Sequence, residues 1–250
     1  MKISYVLIVG MVKNKNNLVE RQDFFTQKKY LIFSKKYRKM ILGGENMIKT
    51  AQYLYEELKG YNNPKTKIQR MVSNNELYPI IQGLYETNKY VNPFYLADPI
   101  YSPSYISFET ALAFYDLIPE RVYQIKNATY DKKKKKEYNT SFGFYSYQDI
   151  PKKAFPYGVK LIEIDGYTYR IATMEKALLD MLYSTTPPIN NIKEMKEYLF
   201  ENLRINPMRL ESFNVEFVTE ISELYNSKTV KLFANMLKRG KLYDKWFLFK

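Results

Sequence analysis

The chain has 250 residues, 46% hydrophobic and 16% aromatic, which is enough apolar side chain for one or two packed domains and too much for a disordered protein. Without a single cysteine or histidine it has no disulfide, thiol nucleophile, imidazole base or usual zinc ligand, so an enzyme here would depend on carboxylates, Lys, Ser or Tyr. The 39 Lys and Arg against 26 Asp and Glu give a net charge of +13 and favour a polyanionic partner.

The charge is uneven. Residues 1–46 hold ten Lys and Arg against three Asp and Glu, leaving 29 against 23 for the remainder. The apolar run Ile3 to Val12 is too short to span a bilayer as a helix, and no small-residue cleavage site of a secretory signal follows it. Gly43-Gly44-Glu45 stands just ahead of Met47. Glycine codons begin GG and glutamate codons begin GA, so a ribosome-binding sequence read in frame accounts for this tripeptide. Residues 1–46 are therefore expected to be an N-terminal extension lying upstream of a natural start at Met47. The abundance of Lys, Asn, Ile, Tyr and Phe fits an AT-rich bacterial gene, and a cytoplasmic location with no membrane partner is expected.

From Ile48 to Tyr61, Ile48, Ala51, Tyr55 and Leu58 fall at helical spacing, with Leu54 and Tyr61 widening the stripe. After the turn Tyr61-Asn62-Asn63, Pro64 is placed to start a second helix capped by Asn63, with Ile68, Met71 and Val72 turned inward and Asn74 and Asn75 closing it. Leu77 to Ile81 and Leu84 to Thr87 flank Gln82-Gly83 as a two-strand ribbon. Helix, turn, short basic helix and ribbon is the order of a winged helix-turn-helix, expected over residues 47–97. Its second helix would enter a major groove, with Lys65, Lys67 and Arg70 on phosphates and Thr66 and Gln69 at base edges. Asn63, Asn74, Gln82 at the bend and Lys89 beyond it complete the candidate DNA-binding residues. An ordinary helical hairpin with a solvated polar side is the competing reading. Residues 47–97 carry six basic and four acidic groups, so affinity has to come from local placement, doubled by a dimer on DNA.

The segment Tyr101 to Val122 predicts one deeply buried helix, with Ser102 as cap, Pro103 at the first helical position and Pro119 ending it. Ile106, Phe108, Ala111, Leu112, Tyr115, Leu117 and Ile118 surround more than one of its faces. Val122 to Thr129 and Thr140 to Tyr147 read as strands, and the run Lys132 to Lys136 between them as a solvated hairpin tip. Val159 to Ile164 and Tyr167 to Ala172 form a hairpin around Asp165-Gly166. Thr173 caps a helix to Tyr183 whose stripe is Met174, Ala177, Leu178, Met181 and Leu182. Beyond Pro187-Pro188, helices are expected at about 192–202, 207–225 with an interruption near Asn214, and 229–238, with Asn206 and Ser227 as caps. The tail Leu242 to Phe249 is expected to dock on the body. The fold class is α+β: a winged helix-turn-helix, then over 98–250 a mixed α/β domain with a small, largely antiparallel sheet and a helical C-terminal region.

Two other functions compete. Glu163, Asp165 and Asp149 form a superficial carboxylate set for a metal-dependent nuclease, although the tight turn by itself explains Asp165-Gly166. Glu175 and Asp180, five apart, face different sides of a helix and make a poor acid-base pair. Neither a GxxxxGK[ST] phosphate loop nor a GxGxxG fingerprint occurs, and no cofactor is expected. A protein-interaction adaptor that ignores DNA is the third class.

The basic segment after Met47, PSYISFETALAFYDLIPE at Pro103 to Glu120, and IATMEKALLDMLY at Ile171 to Tyr183 together resemble the AbiEi family of antitoxins, the DNA-binding components of bacterial type IV toxin-antitoxin systems. The resemblance covers Met47 to Tyr183 and rests mainly on two apolar helices. It implies no enzyme but a winged helix-turn-helix that represses its own promoter, typically at inverted repeats in double-stranded DNA, and a C-terminal antitoxin domain. The implied functional partner is a nucleotidyltransferase-like toxin, opposed without a stable complex. The one-turn connection before Pro64 departs from longer family modules that carry an extra helix, and residues 1–46 have no counterpart.

Overall fold

The structure is a computed structural model that describes residues 48–164 and 167–240. The expected extension, the turn Asp165-Gly166 and the apolar tail lie outside the described residues. The chain is mixed α+β, with a small antiparallel sheet, a larger mixed sheet and helices. The described residues fall into two compact units, 48–93 with 139–142, and 94–138 with 143–240.

In the first unit a short strand β1 (Lys49–Thr50) precedes α1 (Ala51–Glu57), α2 (Pro64–Ser73), β2 (Tyr78–Ile81) and β3 (Leu84–Glu86), and the sheet order is β1-β3-β2, antiparallel throughout. Thr50 serves twice: it pairs with Leu84, and its hydroxyl accepts from Tyr53 N at 3.1 Å to cap α1. Pro79 lies in β2, an edge strand, where a missing N–H leaves no ladder bond unmade. Leu54, Leu58, Ile68 and Leu77 form the core, with Met71, Val72 and Tyr85 packed against it. Tyr55 and Tyr61, expected in the buried stripe, are instead 45% and 53% exposed. Tyr55 sits about 100° around α1 from Leu54, at the margin of the stripe, and α1 ends at Glu57, so Tyr61 belongs to the connecting turn.

The second unit is built on a six-stranded sheet of order β6-β7-β5-β4-β9-β8: β4 (Tyr105–Ile106), β5 (Gln124–Thr129), β6 (Lys136–Thr140, of which 136–138 belong to this unit), β7 (Gly143–Asp149), β8 (Val159–Ile164) and β9 (Tyr167–Ala172). It is less antiparallel than expected, because β4 runs parallel to β9 and β5 parallel to β7. A one-turn helix α3 (Ala97–Ile100) precedes β4, and α4 (Phe108–Phe114) follows it.

This arrangement corrects the expectation of one long helix over Tyr101 to Val122. The residues chosen as its core are buried, apart from half-buried Tyr115, but Tyr105 and Ile106 are a central strand paired with Ala128 and Asn127 on one side and, through Ile106, with Ile171 on the other. Those ladder bonds displace helical ones, and Ser107, not Ser102, stands at the helix start. The helix also stops before Pro119. Asp116 takes φ 54°, Asp116 N donates to Ala113 O and Leu117 N to Leu112 O, the paired bonds of a Schellman motif.

The β8–β9 hairpin has the expected strands, with Val159 opposite Ala172 and Ile164 opposite Tyr167. The lysine run is not a hairpin tip, since β7 separates β5 from β6. It forms the passage to an edge strand, pinned where Asp149 Oδ2 accepts from Lys132 N and Lys133 N at 2.8 and 2.6 Å. The helices that follow are α5 (Met174–Ser184), α6 (Ile192–Glu197, continued by a π turn to Asn202), α7 (Pro207–Leu210), α8 (Val215–Ser222) and α9 (Lys228–Lys238). Thr173, Asn206, Asn214 and Ser227 cap α5, α7, α8 and α9 through their side chains. No helix among the described residues is long and apolar enough to cross a membrane.

Candidate nucleic-acid interface

The candidate residues converge on α2, and local chemistry explains why the helix begins where it does. Asn63 Oδ1 accepts from Thr66 N at 3.1 Å, and Pro64 fills the first helical position, where it needs no N–H partner. Ile68 is 5% exposed and turns into the core with Met71 and Val72. At 3.6 residues per turn the side opposite Ile68, Met71 and Val72 carries Thr66, Gln69, Arg70 and Ser73, while Lys65 and Lys67 lie on its two flanks. Lys65, Gln69 and Arg70 are exposed; Thr66 and Lys67 are half-buried. The helix contains no carboxylate, so nothing on it neutralises these three cations or repels a phosphate.

The remaining candidates lie off this row. Asn74 closes α2: its N–H donates to Arg70 O at 2.9 Å and its Nδ2 to Glu76 Oε1 at 3.1 Å. Gln82 is exposed at the bend between β2 and β3, where Gly83 takes φ +79° and Ala51 N donates to Gly83 O at 2.8 Å. Lys89 is exposed in the turn after β3. That turn is set by Glu86, whose Oε1 accepts from Thr87 N at 2.8 Å and Asn88 N at 3.0 Å.

Two neighbours of this polar row escaped the sequence. Ser73 extends the row by one turn, as the helical period of α2 would have indicated, and its hydroxyl donates to Gln69 O at 3.1 Å. Tyr61, assigned inward, stands exposed under the Lys67 ammonium, 5.5 Å from Nζ to ring centroid. No local signal in the sequence separates that position from a buried one.

The nuclease carboxylates do not assemble. Asp149 is on β7 and Glu163 on β8, four strand spacings apart, which is about 19 Å across the sheet. Asp149 Oδ2 is moreover held by the lysine loop, and Asp165 lies outside the described residues. Nor does the acid-base pair, since Glu175 Oε1 accepts from Asn214 N while Asp180 is fully buried. Among the described residues no group of three acidic side chains is placed to hold a metal ion.

Asp180 instead anchors a closed polar cluster. Its Oδ1 accepts from Lys176 Nζ at 2.8 Å and Tyr225 OH at 2.5 Å, and its Oδ2 from Tyr105 OH at 2.9 Å and Ser107 Oγ at 2.7 Å. Lys176 Nζ also donates to the Tyr225 hydroxyl. Burial lowers the Lys176 ammonium from its usual range, opposed by the charge and hydrogen bond of Asp180. Burial, and then the Asp180 charge, pushes both the Tyr105 and Tyr225 hydroxyls well above the tyrosine range. All four carboxylate bonds are made inside the protein and both charged side chains have no exposure, so the cluster joins α5, β4 and the C-terminal helices without offering a substrate a way in.

No family model matches the chain, and no curated protein matches it. Among solved structures, the crystal structure of the RV2827C protein from Mycobacterium tuberculosis is similar at a TM-score of 0.39 and 11% identity, covering 84% of this chain and 80% of that one.

Proposed function

We propose that the chain is a DNA-binding antitoxin and autorepressor of a type IV toxin-antitoxin system, whose first unit is a winged helix-turn-helix. The observation that carries this reading is α2: a polar row flanked on both sides by lysine, without a carboxylate, on a helix fixed from behind by a small core. α1 and α2 form the helix pair, β1 to β3 the sheet, and the Gln82-Gly83 bend the wing. Lys65, Lys67 and Arg70 take phosphates, Thr66 and Gln69 take base edges, and Asn63, Asn74, Gln82 and Lys89 border the duplex. Two copies on inverted repeats would place their α2 helices one helical turn of DNA apart, about 34–36 Å, or a multiple of it. The second unit opposes a nucleotidyltransferase-like toxin in the cytoplasm, without a stable complex.

Fluorescence anisotropy with duplex DNA from upstream of its own gene tests the first part. Binding should be sequence-dependent, and each of Lys67→Ala and Arg70→Ala should weaken it and reduce the slope of log K against log salt by about one. Binding that ignores both substitutions and the DNA sequence would refute the DNA reading and leave the adaptor. For the second part, a nucleotidyltransferase-like reading frame is expected immediately downstream; co-expression of the chain with that toxin should restore growth, including with the Arg70→Ala variant, and the absence of such a frame or continued growth arrest with the wild-type chain would refute it.

A further inference from the structure

We propose that Tyr61 is a positioning residue for DNA binding, whose ring holds the Lys67 ammonium at the flank of α2 where a phosphate is met. The inference rests on the DNA reading above and adds to it a residue outside the reading helix. Tyr61 sits in the turn that leads from α1 to α2, its N–H bound to Leu58 O at 2.9 Å, so the ring is carried by ordered backbone. The side chain is 53% exposed, which removes core packing as its role. Lys67 Nζ lies 5.5 Å from the ring centroid, while Lys65, on the opposite flank, has no ring beneath it among the described residues.

A lysine on a solvated helix face searches many rotamers, and each phosphate contact must first suppress that search. The negative face of an aromatic ring attracts the ammonium and narrows the search, yet leaves N–H donors free for an anion on the outer side. Tyr61 thus makes one of the flanking cations ready before DNA arrives, and the affinity it adds passes entirely through Lys67. The π-face is what matters, and the hydroxyl is dispensable.

Anisotropy titrations with the same upstream duplex decide this. Tyr61→Leu should weaken binding by about 2- to 5-fold, the range of an exposed cation–π contact, and leave the salt slope unchanged because Lys67 is still present. Tyr61→Phe should bind like wild type. In a Lys67→Ala background, Tyr61→Leu should have no further effect, and the thermal midpoint should be the same for Tyr61→Leu and wild type. The proposal is overturned by a Tyr61→Leu protein that binds normally, by equal weakening with and without Lys67, or by weakening in Tyr61→Phe. If Lys67→Ala and Arg70→Ala behave as expected while Tyr61→Leu is neutral, this inference fails alone. A wild-type chain with no preference for the upstream duplex overturns both.

Discussion

Replacing Asp180 with alanine should be among the most damaging single changes in the second unit. Asp180 is fully buried and receives four hydrogen bonds, from Lys176, Tyr225, Tyr105 and Ser107, at 2.5–2.9 Å. Removing it leaves an ammonium and three hydroxyls facing a small void. Breaking one side of such a buried pair costs about 3–5 kcal/mol, a large share of a total stability of about 5–15 kcal/mol. At about 2–4 °C per kcal/mol for a chain of this size, the melting midpoint should fall by on the order of 10 °C. Urea unfolding followed by circular dichroism at neutral pH would measure it. The double variant Lys176→Met with Asp180→Leu removes both charges and should lose less than Asp180→Ala, since no buried charge is left without a counter-ion. A cycle of the two singles and the double should then show a coupling of about 2 kcal/mol or more. An Asp180→Ala loss below about 1 kcal/mol, or strictly additive effects, would refute the account of the cluster as a mutually dependent unit.

High pH should unfold the protein cooperatively. Tyr105, Tyr145, Tyr147 and Tyr225 are buried and pushed above the tyrosine range, chiefly by burial, so each contributes stability that is complete below its unfolded pKa of about 10 and lost as pH rises toward its folded value. Each group removes about 1.4 kcal/mol per pH unit in that window. Lys176 works in the opposite sense: its lowered pKa means burying the charge costs stability at low pH, and that cost fades as pH rises toward about 10.4. The Lys176 window closes at about 10.4 while the tyrosine window opens at about 10, so above it the tyrosines alone set a downward slope, and full tyrosinate absorbance with native circular dichroism would contradict it. Gly158→Ala should destabilise more than Gly83→Ala. Both glycines have positive φ, but a Cβ at Gly158 would meet Lys176 Cβ at 2.8 Å and Phe217 Cζ at 2.9 Å, whereas at Gly83 its nearest neighbour is Ala51 Cβ at 3.8 Å; equal melting midpoints would contradict this. Asn63→Ala should cost about 1 kcal/mol by uncapping α2, with Asn63→Asp retaining most of it; an Asn63→Ala protein of unchanged stability in urea would show that the cap is dispensable.

What the sequence by itself determined here was set by interactions reaching only a few residues along the chain. Asn63-Pro64 placed the start of α2, Thr173 the start of α5, and Asn206 and Ser227 the starts of α7 and α9, because a cap is a bond between neighbours about three positions apart. The strands β8 and β9 were equally visible, since the Asp165-Gly166 dipeptide between them is a hairpin signal carried by the sequence itself and needs no distant partner. Burial in the segment 106–118 was legible too, from apolar composition alone.

Tertiary structure decided the rest. Ile106 finds its strand partners at Asn127 and Ile171, and nothing within its own neighbourhood distinguishes those bonds from helical ones. Nothing adjacent to Lys176 or Asp180 in the chain marks them as a buried pair; Tyr225 and Tyr105, 45 and 75 positions away from Asp180, make them a closed interior cluster. The candidate interface divides the same way. Its helix was written in local signals, but the early end of α1 turned Tyr61 from an expected core residue into a surface ring under Lys67. Backbone periodicity fixes which residues share a face of one element; which faces are covered depends on the elements packed against them, and those come from anywhere in the chain.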